Sequence, residues 1–237
     1  MSTLVRSAMW KGRRQLRALA GAAAFFAVAM GLIGFAHTKH GRPLLALLRG
    51  APGCPVGAGK LSPEQRDAAQ VKVLSPLRGA ERAAARPAFG FALERTTRAE
   101  VEQWAAQKGV RCEPTKHGLA LRCLAVPAAV LAEAEHDVDS LLFLFDGASH
   151  LVAVDASRAQ LSPEEAAHLV EAVTGALAAK AGPPAKQDGE ADPDYLTGGS
   201  LRRVGAEFRF SDYRAQVSAT NLGEKMFVRE QYQSIPD

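Results

Sequence analysis

Two cysteines, Cys112 and Cys123, are spaced so that they could form a disulfide bond. Residues 113–122 between them contain His117-Gly118, a dipeptide that favours a tight turn. If this dipeptide forms the two-residue tip of a β-hairpin, Cys112 lies directly opposite Cys123, at a separation that a disulfide can span. A two-residue tip would make the cysteines a hydrogen-bonded pair, which cross-strand disulfides use less often. We predict the bond, with two buried thiols as the alternative, and Cys54 free or intermolecular.

Two groups of acidic side chains resemble metal-binding sequences. The denser group combines carboxylates with an imidazole, which together could hold a divalent cation: Glu133, Glu135, His136, Asp137 and Asp139. Its spacing is not diagnostic, because a solvated helix end before a strand has the same composition. The second group alternates as in a calcium loop: Asp188, Glu190, Asp192 and Asp194. Pro193 and Gly199 stand where that loop requires glycine and glutamate, so we predict no metal ligand and no metal cofactor.

A histidine on a predicted helix is the simplest candidate for proton transfer. His168 lies between Glu164 and Glu171, whose carboxylates would favour the charged imidazole. A solvent-facing ion pair is the more ordinary interpretation. The chain contains no Gly-x-Ser-x-Gly, Cys-x-x-Cys or His-Glu-x-x-His motif. We therefore name no catalytic residue and leave enzymatic activity undecided, with a non-enzymatic role favoured.

Residues 57–60, Gly-Ala-Gly-Lys, resemble the end of a phosphate-binding loop. Cys54 occupies the position of the first glycine, and Leu61 replaces the hydroxyl residue that would bind Mg²⁺. A linker rich in glycine and proline explains the segment better. We predict no nucleotide and no other cofactor.

Three capping boxes predict where helices begin. In each, a serine or threonine is followed three residues later by Gln or Glu: Ser62 with Gln65, Thr97 with Glu100, and Ser162 with Glu165. The first helix should end near Ser75-Pro76 and resume briefly to Ala85. The second should end at Gly109, with Trp104 in the core, and the third should run from Pro163 to about Lys180.

Alternating and apolar segments predict the strands and their neighbours. A hairpin should pair 110–115 with 119–126, followed by a short helix over 127–135. Strands 141–145 and 151–155 should be central and buried on both faces, and 182–199 should be a flexible connection. Three strands should end the chain as an antiparallel meander whose last member is a candidate edge strand: 204–210, 213–219 and 226–232. The predicted fold class is α+β, an antiparallel sheet with helices packed on one face.

A run of nineteen uncharged residues, 18–36, follows a basic segment, 1–17. As a helix it would extend roughly 28 Å, close to the thickness of a bilayer's hydrocarbon core. Five Lys or Arg precede the run without an acid, which favours a cytoplasmic N-terminus. We predict a signal-anchor at 18–36 in the inner (cytoplasmic) membrane, a juxtamembrane linker at 37–61 and an extracytoplasmic domain at 62–237.

Two alternatives concern the same segment. Gly34-Phe35-Ala36 fits a signal-peptidase site, so cleavage near Ala36 would make the domain secreted or periplasmic. Ala23, Ala27 and Gly31 recur every four residues, a spacing that lets two membrane helices approach closely and form a homodimer.

The basic character of the chain comes from its N-terminal quarter. The sequence pI is about 9.1, yet residues 61–237 contain 20 Lys and Arg against 25 Asp and Glu. A nucleic-acid-binding domain needs clustered positive charge on its folded part. We therefore predict no nucleic-acid partner, and the lipid bilayer as the partner of residues 18–36.

These features predict a membrane-anchored extracytoplasmic domain with a non-enzymatic role, either protein-binding or envelope-associated. Its partner would be an envelope protein. One alternative is an envelope hydrolase that uses His168 or the acidic group near His136. The other is a small-ligand sensor with its site between a helix and the sheet.

Overall fold

The computed structural model describes residues 62–115, 118–223 and 225–236. The predicted membrane segment 18–36, Cys54 and the glycine-rich residues 57–60 lie outside this part of the chain. Within it, no helix combines the length and the apolar character that a membrane crossing requires.

The three predicted capping boxes are confirmed. Helices α1 (Pro63–Leu74), α2 (Arg98–Lys108) and α3 (Pro163–Ala181) each follow a capping hydroxyl that accepts from the third helical N–H. The Gln or Glu at that third position accepts from the cap's own N–H in return. Gly109 ends α2 with φ of 67°, in the left-handed region that glycine adopts without strain.

Eight strands form one antiparallel sheet, so the α+β class is confirmed. Its order is β1-β2-β3-β4-β8-β7-β6-β5. The strands are β1 (Cys112–Pro114), β2 (Ala120–Val126), β3 (Val138–Phe145), β4 (Leu151–Leu161), β5 (Lys186–Asp188), β6 (Arg203–Arg209), β7 (Tyr213–Asn221) and β8 (Met226–Ser234).

The order of the elements repeats once. Helix α2 is followed by strands β1 to β4, and α3 is followed by β5 to β8. The last strands of the two halves, β4 and β8, pair antiparallel at the centre of the sheet. The suggestion that 226–232 is an edge strand is therefore wrong, because β8 lies between β4 and β7.

Four local predictions are also wrong. The segment 182–199 contains β5 and a fourth helix, α4 (Pro193–Thr197), which Asp192 caps and whose Leu196 is fully buried. Residues 128–130 form a 3-10 turn instead of a helix to residue 135, and only the 3-10 turn at 75–77 follows α1. Strand β3 is not buried on both faces, since Leu144 is 37% exposed.

The core lies on one face of the sheet. Alternate residues of β6, β7 and β8 are buried and join one cluster with residues of α2 and α3. Helix α3 packs on β4, β6, β7 and β8. Trp104 of α2 contacts Phe143 of β3, with ring centres 5.9 Å apart, which confirms its place against the core. The strand residues that point away from this cluster form what we call the open face.

The structure pairs Cys112 with Cys123 and places their sulfur atoms at disulfide distance. The predicted register is correct, but the hydrogen bonds fall at the other pairs of the ladder. The Thr115 N–H donates to the Ala120 carbonyl, and the Leu124 N–H donates to the Arg111 carbonyl. Thr115–Ala120 and Arg111–Leu124 are thus hydrogen-bonded pairs, and the cysteines between them form a non-hydrogen-bonded pair, the closer kind. Their Cα atoms are 3.9 Å apart.

Candidate functional site

The structure brings together two groups that were separate in the sequence. His168 Nε2 lies 3.8 Å from Glu135 Oε2 instead of pairing along α3 with Glu164 or Glu171. Glu133 Oε1 lies 2.5 Å from Lys180 Nζ, also on α3. Glu133 and Glu135 therefore contact α3 near its C-terminal end and near its N-terminal end, respectively.

Three acids of the two groups that resemble metal-binding sequences accept hydrogen bonds from backbone N–H groups. Asp137 accepts from the Ala128 N–H at 2.8 Å, and Asp139 accepts from the Ala159 N–H at 2.6 Å. Asp192 caps α4 by accepting from the Tyr195 N–H. Across residues 62–115, 118–223 and 225–236, no group of three or more His, Cys, Asp or Glu side chains could hold a metal ion.

A cavity of about 50 Å³ lies between α3 and the sheet. Glu133 and Glu135 line it together with Val173 of α3, and Glu230 and Tyr232 line it from β8. This volume holds a few water molecules and is far below the roughly 300 Å³ at which drug-sized ligand sites begin. None of the described lining residues is a serine, threonine or cysteine.

Beside this cavity lies a charged network inside the core. Arg158 Nη1 lies 2.5 Å from Glu230 Oε1, and both side chains are 2% exposed. The Tyr232 hydroxyl donates to the other Glu230 oxygen, and Arg158 Nε donates to the His136 carbonyl. Burial, followed by the charge of Glu230, raises the pKa of Tyr232 well above its ordinary value. Arg158 Nη2 has no hydrogen-bond partner among the described residues.

Sequence reasoning missed this network. The signal was present in β8, where Glu230 occupies the same alternating register as Met226, Val228 and Tyr232 on the apolar face. Arg158 lies beyond residue 155, where this strand was predicted to end, so nothing in the sequence indicated that Arg158 pairs with Glu230.

The open face carries one continuous row of side chains across all eight strands. Each member is the direct Cα partner of the next on the adjacent strand. We call these residues the transverse row: Glu113, Arg122, Leu142, Asp155, Gln231, Gln216, Glu207 and Lys186.

Specific contacts hold the central part of the transverse row in place. Arg229 Nε donates to both oxygens of Asp155 at 3.0 Å, and Gln231 Nε2 donates to Asp155 at 2.9 Å. These bonds tie β8 to β4 on the open face. Hydrogen bonding to Asp155 raises the pKa of Arg229.

A second set of contacts holds the row on β6 and β7. Arg209 Nη2 donates to Glu207 Oε2 at 2.7 Å, and Arg214 Nε donates to Glu207 Oε1 at 2.9 Å. Arg214 Nη2 also donates to Gln216 at 3.1 Å. The hydrogen bond from Arg209, together with Arg214, lowers the pKa of Glu207, so its carboxylate is charged at neutral pH.

Apolar side chains adjoin the row on the other half of the open face. Leu124 of β2 is 51% exposed and Leu144 of β3 is 37% exposed. Leu142, within the row, is partly exposed. On β3 it lies between Leu144 and Ser140, the Cα partner of Leu124. This exposed apolar area is thus continuous with the charged part of the same face.

The charge of the open face differs from that of the domain. Among the described strand residues, six cationic side chains project from it: Arg122, Lys186, Arg203, Arg209, Arg214 and Arg229. Four carboxylates accompany them: Glu113, Asp155, Asp188 and Glu207. Residues 61–237 as a whole have more acids than bases, so the surplus of positive charge is local to this face.

No protein-family model, curated protein or solved structure matches the chain.

Proposed function

We propose that this chain is a membrane-anchored extracytoplasmic protein whose open face binds an envelope protein. The observation that carries the proposal is the transverse row, which is held in place by side-chain contacts and adjoins exposed leucines. A surface of this kind combines apolar area with oriented charges, and arginine is among the residues enriched at protein interfaces.

The fixed geometry of the row favours binding. Gln231 and Arg229 are already bonded to Asp155, and Arg209 and Arg214 are already bonded to Glu207. Ordering a free, rotamer-rich side chain costs about 0.5–1.5 kcal/mol on association. Side chains that are ordered before the partner arrives avoid part of that cost.

The cysteines and the N-terminal segment both support an extracytoplasmic location. A cross-strand pair at disulfide distance suits an oxidising compartment. Reporters fused after residue 60 and at the C-terminus test the orientation, and both should be active only outside the cytoplasm. Activity of either reporter in the cytoplasm would refute the extracytoplasmic part of the proposal.

Site-specific photo-crosslinking in the organism that encodes the protein tests the binding surface. A crosslinking amino acid is placed at Leu144 on the open face or, as the matched control, at Glu171 on the exposed side of α3. We expect a discrete crosslinked product from Leu144 and none from Glu171. Equal products from both positions, or none from either, would contradict the proposal.

The cavity beneath α3 gives the sensor and hydrolase alternatives little support. Its volume suits water, and its described lining offers no nucleophile of the kind that hydrolases use. Both alternatives stay predictions from the sequence.

A further inference from the structure

We propose that Arg209 and Arg214 form a binding site for a carboxylate of the partner protein. This inference rests on the proposed function, because it names the chemistry of the partner at one point of the open face.

The two arginines are direct Cα partners on β6 and β7, next to the hairpin connection at 210–212. Like charges placed opposite each other on a sheet destabilise it. Glu207 lies between the two guanidinium groups, one carboxylate oxygen to each. One negative charge compensates one of the two positive charges, so the cluster keeps a net charge of +1.

The guanidinium groups of the cluster stay partly accessible, although one of their donors is buried. Arg209 Nε is shielded from solvent and has no hydrogen-bond partner among the described residues. The Arg209 side chain is 36% exposed and that of Arg214 is 18% exposed, whereas Glu207 is 13% exposed. The cationic groups are therefore more accessible than the acid between them.

A carboxylate fits this cluster better than a polyanion does. Guanidinium groups bind planar carboxylates through paired N–H donors, and a single carboxylate matches the surplus of one charge. Residues 61–237 carry more acids than bases, which disfavours approach of a nucleic acid.

The register also places an apolar contact at a set distance from the arginines. A second row of Cα partners runs from Arg214 through Gln233 and Ala153 to Leu144. These residues lie on β7, β8, β4 and β3, so Arg214 and Leu144 are three strand spacings, roughly 14 Å, apart. In an extended partner segment, four residues span roughly 13 Å. The expected partner therefore presents an acidic side chain and, four positions away, an apolar one.

The carboxylate site is tested with a blocked peptide, acetyl-Glu-Ser-Gly-Ser-Leu-amide. The peptide is titrated into the ¹⁵N-labelled full-length protein. The Nε–H resonance of Arg209 should shift saturably. A peptide with Gln in place of Glu should bind at least about tenfold more weakly, because it lacks the charge-assisted bonds.

Variants assign the effect to the cluster. Arg209→Gln and Arg214→Gln should each weaken peptide binding at least about tenfold. Arg95→Gln, which removes an exposed arginine from the loop before α2 and lies off the open face, should leave binding unchanged. Arg209→Lys retains the charge and removes the planar, paired N–H donors of the guanidinium group. It should also weaken binding, and it serves as the readout if a Gln variant does not fold.

Equal affinities of the Glu and Gln peptides, or equal affinities of the Arg209→Gln and Arg95→Gln proteins, would overturn the carboxylate site. If Leu144 still yields its crosslinked product in that case, the open face binds a partner by other contacts and only this inference fails. If Leu144 yields none, the proposed function fails as well.

Discussion

Arg158 on β4 and Glu230 on β8 form an ion pair inside the core, at the junction of the two four-stranded halves of the sheet. Because both side chains are almost fully buried, neither charge is screened by water. The pair therefore links the two halves of the sheet. Removing only one of its two charges is strongly destabilising, because the other charge stays buried without a partner.

Replacing Glu230 with Ala should lower the free energy of unfolding by about 3–5 kcal/mol, because the Arg158 charge would remain buried without its partner. Chemical denaturation measures the loss. The double variant Arg158→Met with Glu230→Leu should recover most of it. As the exposed control, Arg229→Ala should cost about 1 kcal/mol or less. A Glu230→Ala cost no larger than that of Arg229→Ala would contradict the buried pair.

Tyr232→Phe tests the hydroxyl contact alone. The substitution leaves one Glu230 oxygen without its donor, so the unfolding free energy should fall by about 1–3 kcal/mol. Tyr213→Phe, which removes the bond to the Pro87 carbonyl, is the comparison for a neutral acceptor and should cost less. The reverse ranking would show that Tyr232 is not bonded to a charged group.

Alkaline pH should unfold the protein through these two tyrosines. Burial raises the pKa of Tyr213 and of Tyr232 well above the ordinary value of 10.0. Above about pH 10 the unfolded chain loses these protons while the folded chain keeps them, so stability falls as the pH rises. Absorbance at the tyrosinate band should show both groups ionising together with unfolding. Ionisation of both tyrosines before any loss of the circular dichroism signal would contradict this prediction.

Acidic pH should destabilise the fold by protonating Glu207 on the open face. Because its pKa is lowered in the folded state, this carboxylate stabilises the fold above its unfolded pKa near 4.5. That stabilisation is lost as the pH falls through its folded pKa. Glu207→Gln should therefore reduce the stability lost between about pH 5 and pH 3. An unchanged acid profile for this variant would mean that Glu207 is not held by the two arginines.

Reducing the Cys112–Cys123 bond should destabilise the fold by about 2–3 kcal/mol, since the bond closes a short loop in the unfolded chain. Urea denaturation with and without reductant measures it. The Cys112→Ser variant should unfold at the midpoint of the reduced protein and show no further response to reductant. A response that persists in this variant would assign the effect to another cysteine.

Gly205 tests how closely β6 and β7 approach. A Cβ at this position would lie 2.4 Å from the Val217 carbonyl oxygen and 2.9 Å from the Ser218 Cα. Gly205→Ala should cost about 1–3 kcal/mol, because the backbone must move to accommodate it. Gly175→Ala in α3, where a Cβ meets nothing within 4 Å, should instead stabilise by up to about 1 kcal/mol. Thermal unfolding of the two variants gives the comparison.

Features that depend on neighbouring residues were predictable from the sequence. A capping box places its donors and acceptors within four residues, so the starts of α1, α2 and α3 were correct. The register of Cys112 and Cys123 was correct for the same reason, because the hairpin is local. The expectation that the two cysteines form a hydrogen-bonded pair was wrong, because the same register allows the hydrogen bonds to fall at either set of alternate pairs.

The segment 182–199 shows where composition misleads. Glycine, proline and acids suggest a loop, yet Asp192 caps a helix and Leu196 is fully buried. Strand β5 exists because β6 offers it a pairing edge, and its own three residues carry no strand pattern.

The amino-acid sequence by itself determined the starts of α1, α2 and α3, the alternation of the strands, the α+β class and the hairpin that pairs the cysteines. All of these follow from backbone geometry and side-chain periodicity over a few residues. Only the tertiary structure decided that β8 joins β4 at the centre, because that pairing connects residues 65 to 80 positions apart. That one pairing brings Arg158 to Glu230, and it brings Asp155 to Gln231 in a row that crosses the whole sheet.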